Sequence, residues 1–256
     1  ICCGMEPHDA IPLARAAVLR ALELDPASAE AHTSLAIIQQ MGDKDYRAAL
    51  AELDTAVALD STYAEAHLFL AWDHALRRED SASIAEARTA LRLSPRSPII
   101  SLRLGTMYYM ARQYDPAIAQ YRRTMELDPA APSTHSALAE AYVMSGRCDD
   151  ALKEVAIVAG RGPWLAGPPG YVLAVCHHEA EARHDLADLL ARARAGTYVG
   201  SWMIAVIYLG LGDRDRFFSW FERALDDHEP VFPTGPVYDP VREDPRFKAL
   251  VKRWVT

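Results

Sequence analysis

The sequence predicts an all-α protein: a solenoid of antiparallel helix pairs with a C-terminal capping helix. Three observations predict it. A joint made of an acidic or Ser residue followed by Pro or Ser returns at Pro26, Ser61, Pro95, Pro129 and Pro163, at spacings of 35, 34, 34 and 34 residues, and a fixed period of this length marks a repeat architecture. Between joints the same residue sizes recur. Counted from His32, His67, Ser101, His135 and Ser201, the third residue on is Leu35, Leu70, Leu104, Leu138 or Ile204, and the fourth is Ala36, Ala71, Gly105, Ala139 or Ala205. Offsets of three, four and seven share one helical face, and small residues there let neighbouring backbones approach. Finally, Gly42, Gly146 and Gly212 sit mid-unit, where a turn between two helices needs a residue tolerant of positive φ.

Taken in order, residues 1–28 read as the second helix of a truncated leading unit, "DAIPLARAAVLRALELD", whose first helix is expected upstream of Ile1. Residues 29–163 hold four regular units, with one extra residue in "MGDKDY" of the first. Each closes at its joint because Pro cannot extend the hydrogen-bond ladder and displaces the residue before it from helical geometry. Residues 164–196 form a degenerate unit, with "AGPPGY" read as a linker or kinked turn and "GYVLAVCHHEAEA" and "HDLADLLARARAG" as its helices. Residues 197–230 form a sixth unit rich in aromatics, Phe217, Phe218, Trp220 and Phe221. Residues 231–256 give a loop, "FPTGPVYDP", and a closing helix whose Phe247, Leu250, Val251 and Trp254 would cover the last apolar face of the array.

Composition narrows the function. The 256 residues are half hydrophobic and 24% charged, a folded profile. A net charge of −8 without a Lys/Arg block argues against nucleic acid, whose phosphates demand cations. No apolar run reaches the length of a bilayer span, so no membrane partner is expected of this segment. The four cysteines, Cys2, Cys3, Cys148 and Cys176, have no metal or redox spacing and read as free thiols of a reducing compartment. The cytoplasm is the expected location, or an extracytoplasmic one if a transmembrane segment lies upstream.

The unit "SLRLGTMYYMARQYDPAIAQYRRTMELDP", with Leu104, Gly105, Tyr108, Tyr114, Ala117, Tyr121 and Pro129 in place, resembles the tetratricopeptide repeat. It departs from that pattern where His or Ser stands for the first-helix Trp, Thr124 for an Ala and Ser61 for a Pro. The tail, "YLGLGDRDRFFSWFERAL" with "DPVREDPRFKALVKRW", is similar to the C-terminal repeat regions of bacterial multidomain regulators. The resemblance implies a right-handed superhelix whose first helices line a concave, peptide-holding groove. On that basis the groove residues expected here are Ile37, Met41, Phe69, Trp72, Leu76, Arg103, Thr106, Tyr109, Met110, Glu140 and Met144, with Thr33, Gln40, Ser136 and Trp202 beside them. The set is apolar and aromatic, and Arg103 is its one cation.

Catalytic motifs are missing: there is no G-x-x-x-x-G-K-[ST], G-x-G-x-x-G or G-x-S-x-G. "CHHEAEARH" is the one dense cluster of ligand-type residues, and a helix through it would bring His177, Glu181 and His184 toward one face. Its order does not match H-E-x-x-H. Neither a metal nor a cofactor is expected, and a metal-dependent enzyme around His177 and Glu181 ranks lowest. The first expectation is a non-catalytic module binding a partner protein's peptide or helix. The alternative is a regulatory or homodimerising segment of a larger signalling protein.

Overall fold

The computed structural model describes residues 7–158, 167–227, 229 and 231–255. They form fourteen α-helices among the described residues: α1 (Pro7–Leu24), α2 (Ala29–Ile38), α3 (Tyr46–Leu59), α4 (Ala64–Leu76), α5 (Asp80–Leu93), α6 (Pro98–Met110), α7 (Tyr114–Leu127), α8 (Pro132–Met144), α9 (Cys148–Val158), α10 (Gly167–Val175), α11 (Glu179–Arg194), α12 (Ser201–Gly210), α13 (Arg214–Asp226) and α14 (Pro245–Val255). A π-helical turn, Gln39–Asp43, follows α2, and a 3-10 helix, Pro236–Val241, precedes α14. The chain divides into two compact units, residues 1–107 and 108–256. In the first, α2 packs on α3, α4 on α5, and α1 on α2; in the second, α8 packs on α9, α10 on α11, and α12 on α13. None of the described helices is long and apolar enough to cross a membrane.

The joints owe their recurrence to a side chain as well as to proline. Asp25, Asp60 and Asp128 each accept, through Oδ1, the amide two residues on, at 3.1, 2.8 and 3.3 Å. This Asx turn competes with helical hydrogen bonding and stops α1, α3 and α7. The amides of Asp60, Ser94 and Asp128 close the last turns on Ala56, Ala90 and Thr124. Residues of the next helix then build on the joint. His32 Nδ1 lies 2.6 Å from Glu52 Oε2 while its Nε2 lies 3.1 Å from the Pro26 carbonyl. His67 repeats this with Glu86 and the Ser61 carbonyl, and His135 with Glu154 and the Pro129 carbonyl. Each ring thus ties a first helix to the second helix of its own pair and to the preceding joint.

Within pairs, the left-handed turn residue is most often not glycine. Lys44, Arg78, Arg112 and His177 adopt φ between 57° and 64°, alongside Gly146 and Gly212. The following amide reaches back five residues, as Glu79 to His74 and Gln113 to Tyr108, which satisfies a carbonyl orphaned at the helix end. The first pair reaches back six, Asp45 to Gln39, so its extra residue is absorbed by the π turn. Gly42 therefore does not serve as the left-handed residue; a Cβ there would stand 2.8 Å from Ile11 Cγ2, and its smallness admits α1.

Two further expectations are corrected in the second unit. "AGPPGY" is not a linker throughout: Gly167–Gly170 is the first turn of α10, where prolines cost nothing because first-turn amides lack helical partners. A Cβ on Gly170 would meet Ile207 Cδ1 at 2.5 Å, and one on Gly210 would meet Ala174 Cβ at 2.8 Å, so α10 and α12 lie almost backbone to backbone. Nor are all four cysteines free thiols. Cys148, at the start of α9, is bonded to Cys176, just past α10, with Cα atoms 5.5 Å apart. Spacing could not reveal this pair because the contact is made by helix packing across 28 residues. The expected cap has its aromatic core: Phe221 packs against Phe217, Tyr238 and Phe247 at centroid distances of 5.3, 5.2 and 5.6 Å. The side chain of Trp254 lies outside the described residues.

Candidate partner-binding faces

The residues expected to line one groove fall on both compact units. In the first, α2, α4 and α6 carry Ile37, Phe69, Trp72, Leu76 and Thr106, all half-buried, and Arg103, exposed. The Met41 side chain lies outside the described residues. Trp72 and Arg103 come together, with the guanidinium 5.5 Å from the indole centroid, the arrangement of a cation–π contact. Phe69 leans instead on the buried cluster of Ala36, Ala49, Leu53 and Leu70, so its role is at least partly to pack the pair. Thr106 donates its hydroxyl back to the Leu102 carbonyl at 3.1 Å within its own helix.

Beneath this face sits a carboxylate that sequence reasoning passed over. Asp73 is 1% exposed, accepts from Gln40 Nε2 at 3.4 Å and pairs with Arg77 at 2.5 Å. Burial raises its pKa against the opposing pull of Arg77 and Gln40. The Tyr46 hydroxyl is pushed up to about 12 by burial and by the Asp73 charge. Gln40, expected at the groove surface, is spent on holding this buried group.

In the second unit two of the expected residues are closed off. Tyr109 is 7% exposed and Met110 is buried, while Glu140 and Met144 are half-buried. Ser136 Oγ and Thr134 Oγ1 are buried without a hydrogen-bond partner among the described residues, while the Tyr109 hydroxyl faces Glu140. Glu140 lies within electrostatic reach of Tyr109 and Tyr171, and desolvation pushes its carboxyl up to about 7, against the pull of the Tyr109 hydroxyl.

The chain's own segment 231–241 comes against Met110. A Cβ on Gly235 would lie 3.8 Å from Met110 Sδ, and Tyr238, buried among Phe217, Phe221 and Phe247, feels the Glu140 charge. Arg112, in the left-handed turn after α6, donates to Asp239 through Nε at 2.9 Å and Nη2 at 2.5 Å. Asp239 also accepts from Arg242 Nε at 2.8 Å, and together the two arginines hold its carboxyl below the usual range despite desolvation. Arg242 further donates to the carbonyls of Pro233, Thr234 and Gly235, so the segment has a fixed shape of its own. Glu229, entering it, accepts the amides of Ser201 and Trp202 at 2.7 and 3.0 Å and caps α12, whose first amides would otherwise lack partners. Sequence reasoning missed Arg112, Tyr238 and Asp239. The available signal was the alternation of proline with Tyr and Asp in a loop too rich in side-chain chemistry for a mere connection.

The histidine cluster is differently arranged from the helical expectation. His177 occupies the left-handed turn and α11 begins only at Glu179, which takes His177 off the helical face that carries Glu181. Glu181 is instead 3.3 Å from His178 Nδ1. Among the described residues no group of three His, Cys, Asp or Glu is placed to hold a metal ion.

Comparison with known proteins agrees with this fold. Residues 73–132 match the family model described as tetratricopeptide repeat. No curated protein matches the chain. A tetratricopeptide repeat protein from Parabacteroides merdae is similar in structure over 93% of this chain and 90% of its own, with a TM-score of 0.66 and 15% identity. Pseudomonas aeruginosa pilF is similar over 90% and 98%, with a TM-score of 0.55 and 17% identity. A chain of the APC/C hetero-tetramer Cut9-Hcn1 is similar over 96% of this chain and 46% of its own, with a TM-score of 0.64 and 14% identity. Residues 73–132 therefore match the tetratricopeptide repeat, and the chain has the helical-repeat fold of these structures, one that supports a protein–protein interaction module in general.

Proposed function

We propose that the chain is a non-catalytic interaction module that binds a peptide or helix of a partner protein on the face carried by α2, α4 and α6. The observation that carries this reading is the pairing of Trp72 and Arg103 on neighbouring first helices. Trp and Arg dominate interface hot spots, and the pair offers a flat apolar ring beside a cation. Ile37 and Leu76 extend the apolar surface, and Met41 and Thr106 belong to the same expected set. A suitable partner segment buries an aromatic or aliphatic side chain on Trp72 and sets a carboxylate against Arg103. The test selects peptides from a displayed random library on the intact protein. Selected peptides should lose at least tenfold in affinity for the Trp72→Ala/Arg103→Ala variant while helicity stays unchanged. Equal affinity for both proteins would move the site elsewhere.

The disulfide bears on where this happens. A Cys148–Cys176 bridge is favoured in an oxidising compartment and supports an extracytoplasmic module over the cytoplasmic one expected from spacing. Alkylation of the protein in intact cells, followed by mass spectrometry, distinguishes them. Full labelling of both thiols would return the module to a reducing compartment.

A further inference from the structure

The second unit carries its own occupant. We propose that segment 231–241 is a displaceable intramolecular ligand, and that the surface beneath it receives a partner segment of the same chemistry: a short 3-10 turn with an aromatic followed by an acidic residue between prolines. The inference rests on reading repeat faces as partner surfaces, but on a different unit from Trp72 and Arg103.

Three observations on this unit support it. The segment lies on a residue that the repeat pattern assigns to ligand contact, with Gly235 at Met110. Its specificity is electrostatic as well as apolar: Arg112 takes Asp239 with two donors, and bidentate geometry of this kind recognises carboxylates. And the latch is weak, since the Arg112 and Asp239 side chains remain 26% and 38% exposed and water competes for them. What holds the segment closed is tethering, which presents it to its own surface at millimolar effective concentration, with Tyr238 and Val241 as buried anchors.

A partner must therefore outcompete a tethered copy, and weakening the latch exposes the surface to a free one. The probe is a synthetic fluorescent peptide with the sequence of residues 229–244, EPVFPTGPVYDPVRED. The protein variant is Asp239→Asn, which neutralises the latch but keeps Arg112. Asp239→Asn should bind the peptide at least tenfold more tightly than the wild type, with faster amide exchange in 231–241 and unchanged exchange in α4 and α5. Adding Arg112→Glu should abolish that binding, and a peptide with Lys in place of the Asp that matches Asp239 should restore it. Equally weak binding to the wild type and to Asp239→Asn, with exchange unchanged, would make the segment a fixed cap and overturn the proposal. So would peptide binding indifferent to Arg112→Glu. Either failure leaves the Trp72 and Arg103 face untouched, because its own test uses variants in the other unit.

Discussion

Among the described carboxylates Glu140 is the one whose ionisation is most altered by the fold, and its effect on stability has a definite sign. Its pKa rises from 4.5 to about 7 as burial disfavours the carboxylate. Below pH 4.5 the group is protonated folded and unfolded and contributes no pH dependence. Between pH 4.5 and about 7 only the unfolded chain gives up the proton, so stability falls as pH rises through that window, by at most about 3 kcal/mol. Urea unfolding at pH 5 and pH 7.5 should show this fall, and Glu140→Gln should remove most of it; an unchanged pH dependence would mean that Glu140 is solvated. His32 works in the same direction. Burial opposes its charge, but hydrogen bonds to Glu52 and to the Pro26 carbonyl and the charge of Glu52 prevail and raise its pKa. Its contribution is complete below pH 6.5 and is lost as pH rises through the folded value. Backbone conformation gives a second prediction at this scale. Gly146 sits at φ 74°, and a Cβ added to it would have nothing within 4 Å, so Gly146→Ala isolates the conformational cost and should destabilise by about 1 kcal/mol. A neutral result in urea unfolding would show that the turn relaxes.

At the scale of elements, the helix pair is the repeating part, and most of it was legible. Proline and aspartate at the joints, with Leu and small residues at offsets of three and four, locate the helices because they act locally: an Asx turn or a missing amide ends a helix whatever surrounds it. Reading was poorer where context decides. Arg78, Arg112 and His177 hold left-handed turns that sequence reasoning reserves for glycine, since the pair's packing outweighs a local penalty of about 1 kcal/mol. The prolines of 167–170 read as interruption but begin α10. Cys148 and Cys176 are distant in sequence and joined only by the packing of α9 and α10. Their bridge closes a loop across 28 residues and should contribute about 2–4 kcal/mol by restricting the unfolded chain. Thermal unfolding of Cys148→Ser/Cys176→Ser against the wild type checks this; coincident midpoints would show that α9 and α10 are held by apolar contacts alone.

For the whole molecule, the periodic residues explain the fold and the aperiodic ones carry the proposed binding. Trp72 and Arg103 could be placed on first helices from spacing alone, and they meet. Met110 could be placed as well, but spacing says nothing about a segment more than a hundred residues later that returns to it, because that depends on the aromatic packing of Tyr238 and the reach of Arg112. The second unit thus presents an occupied face and the first the pair proposed to receive a partner. The most direct measurement is the calorimetric affinity of a library-selected peptide for the wild type and for Trp72→Ala/Arg103→Ala. A loss of at least tenfold, about 1.4 kcal/mol, with unaltered circular dichroism is the predicted result, whereas undiminished affinity would contradict the assignment of that face.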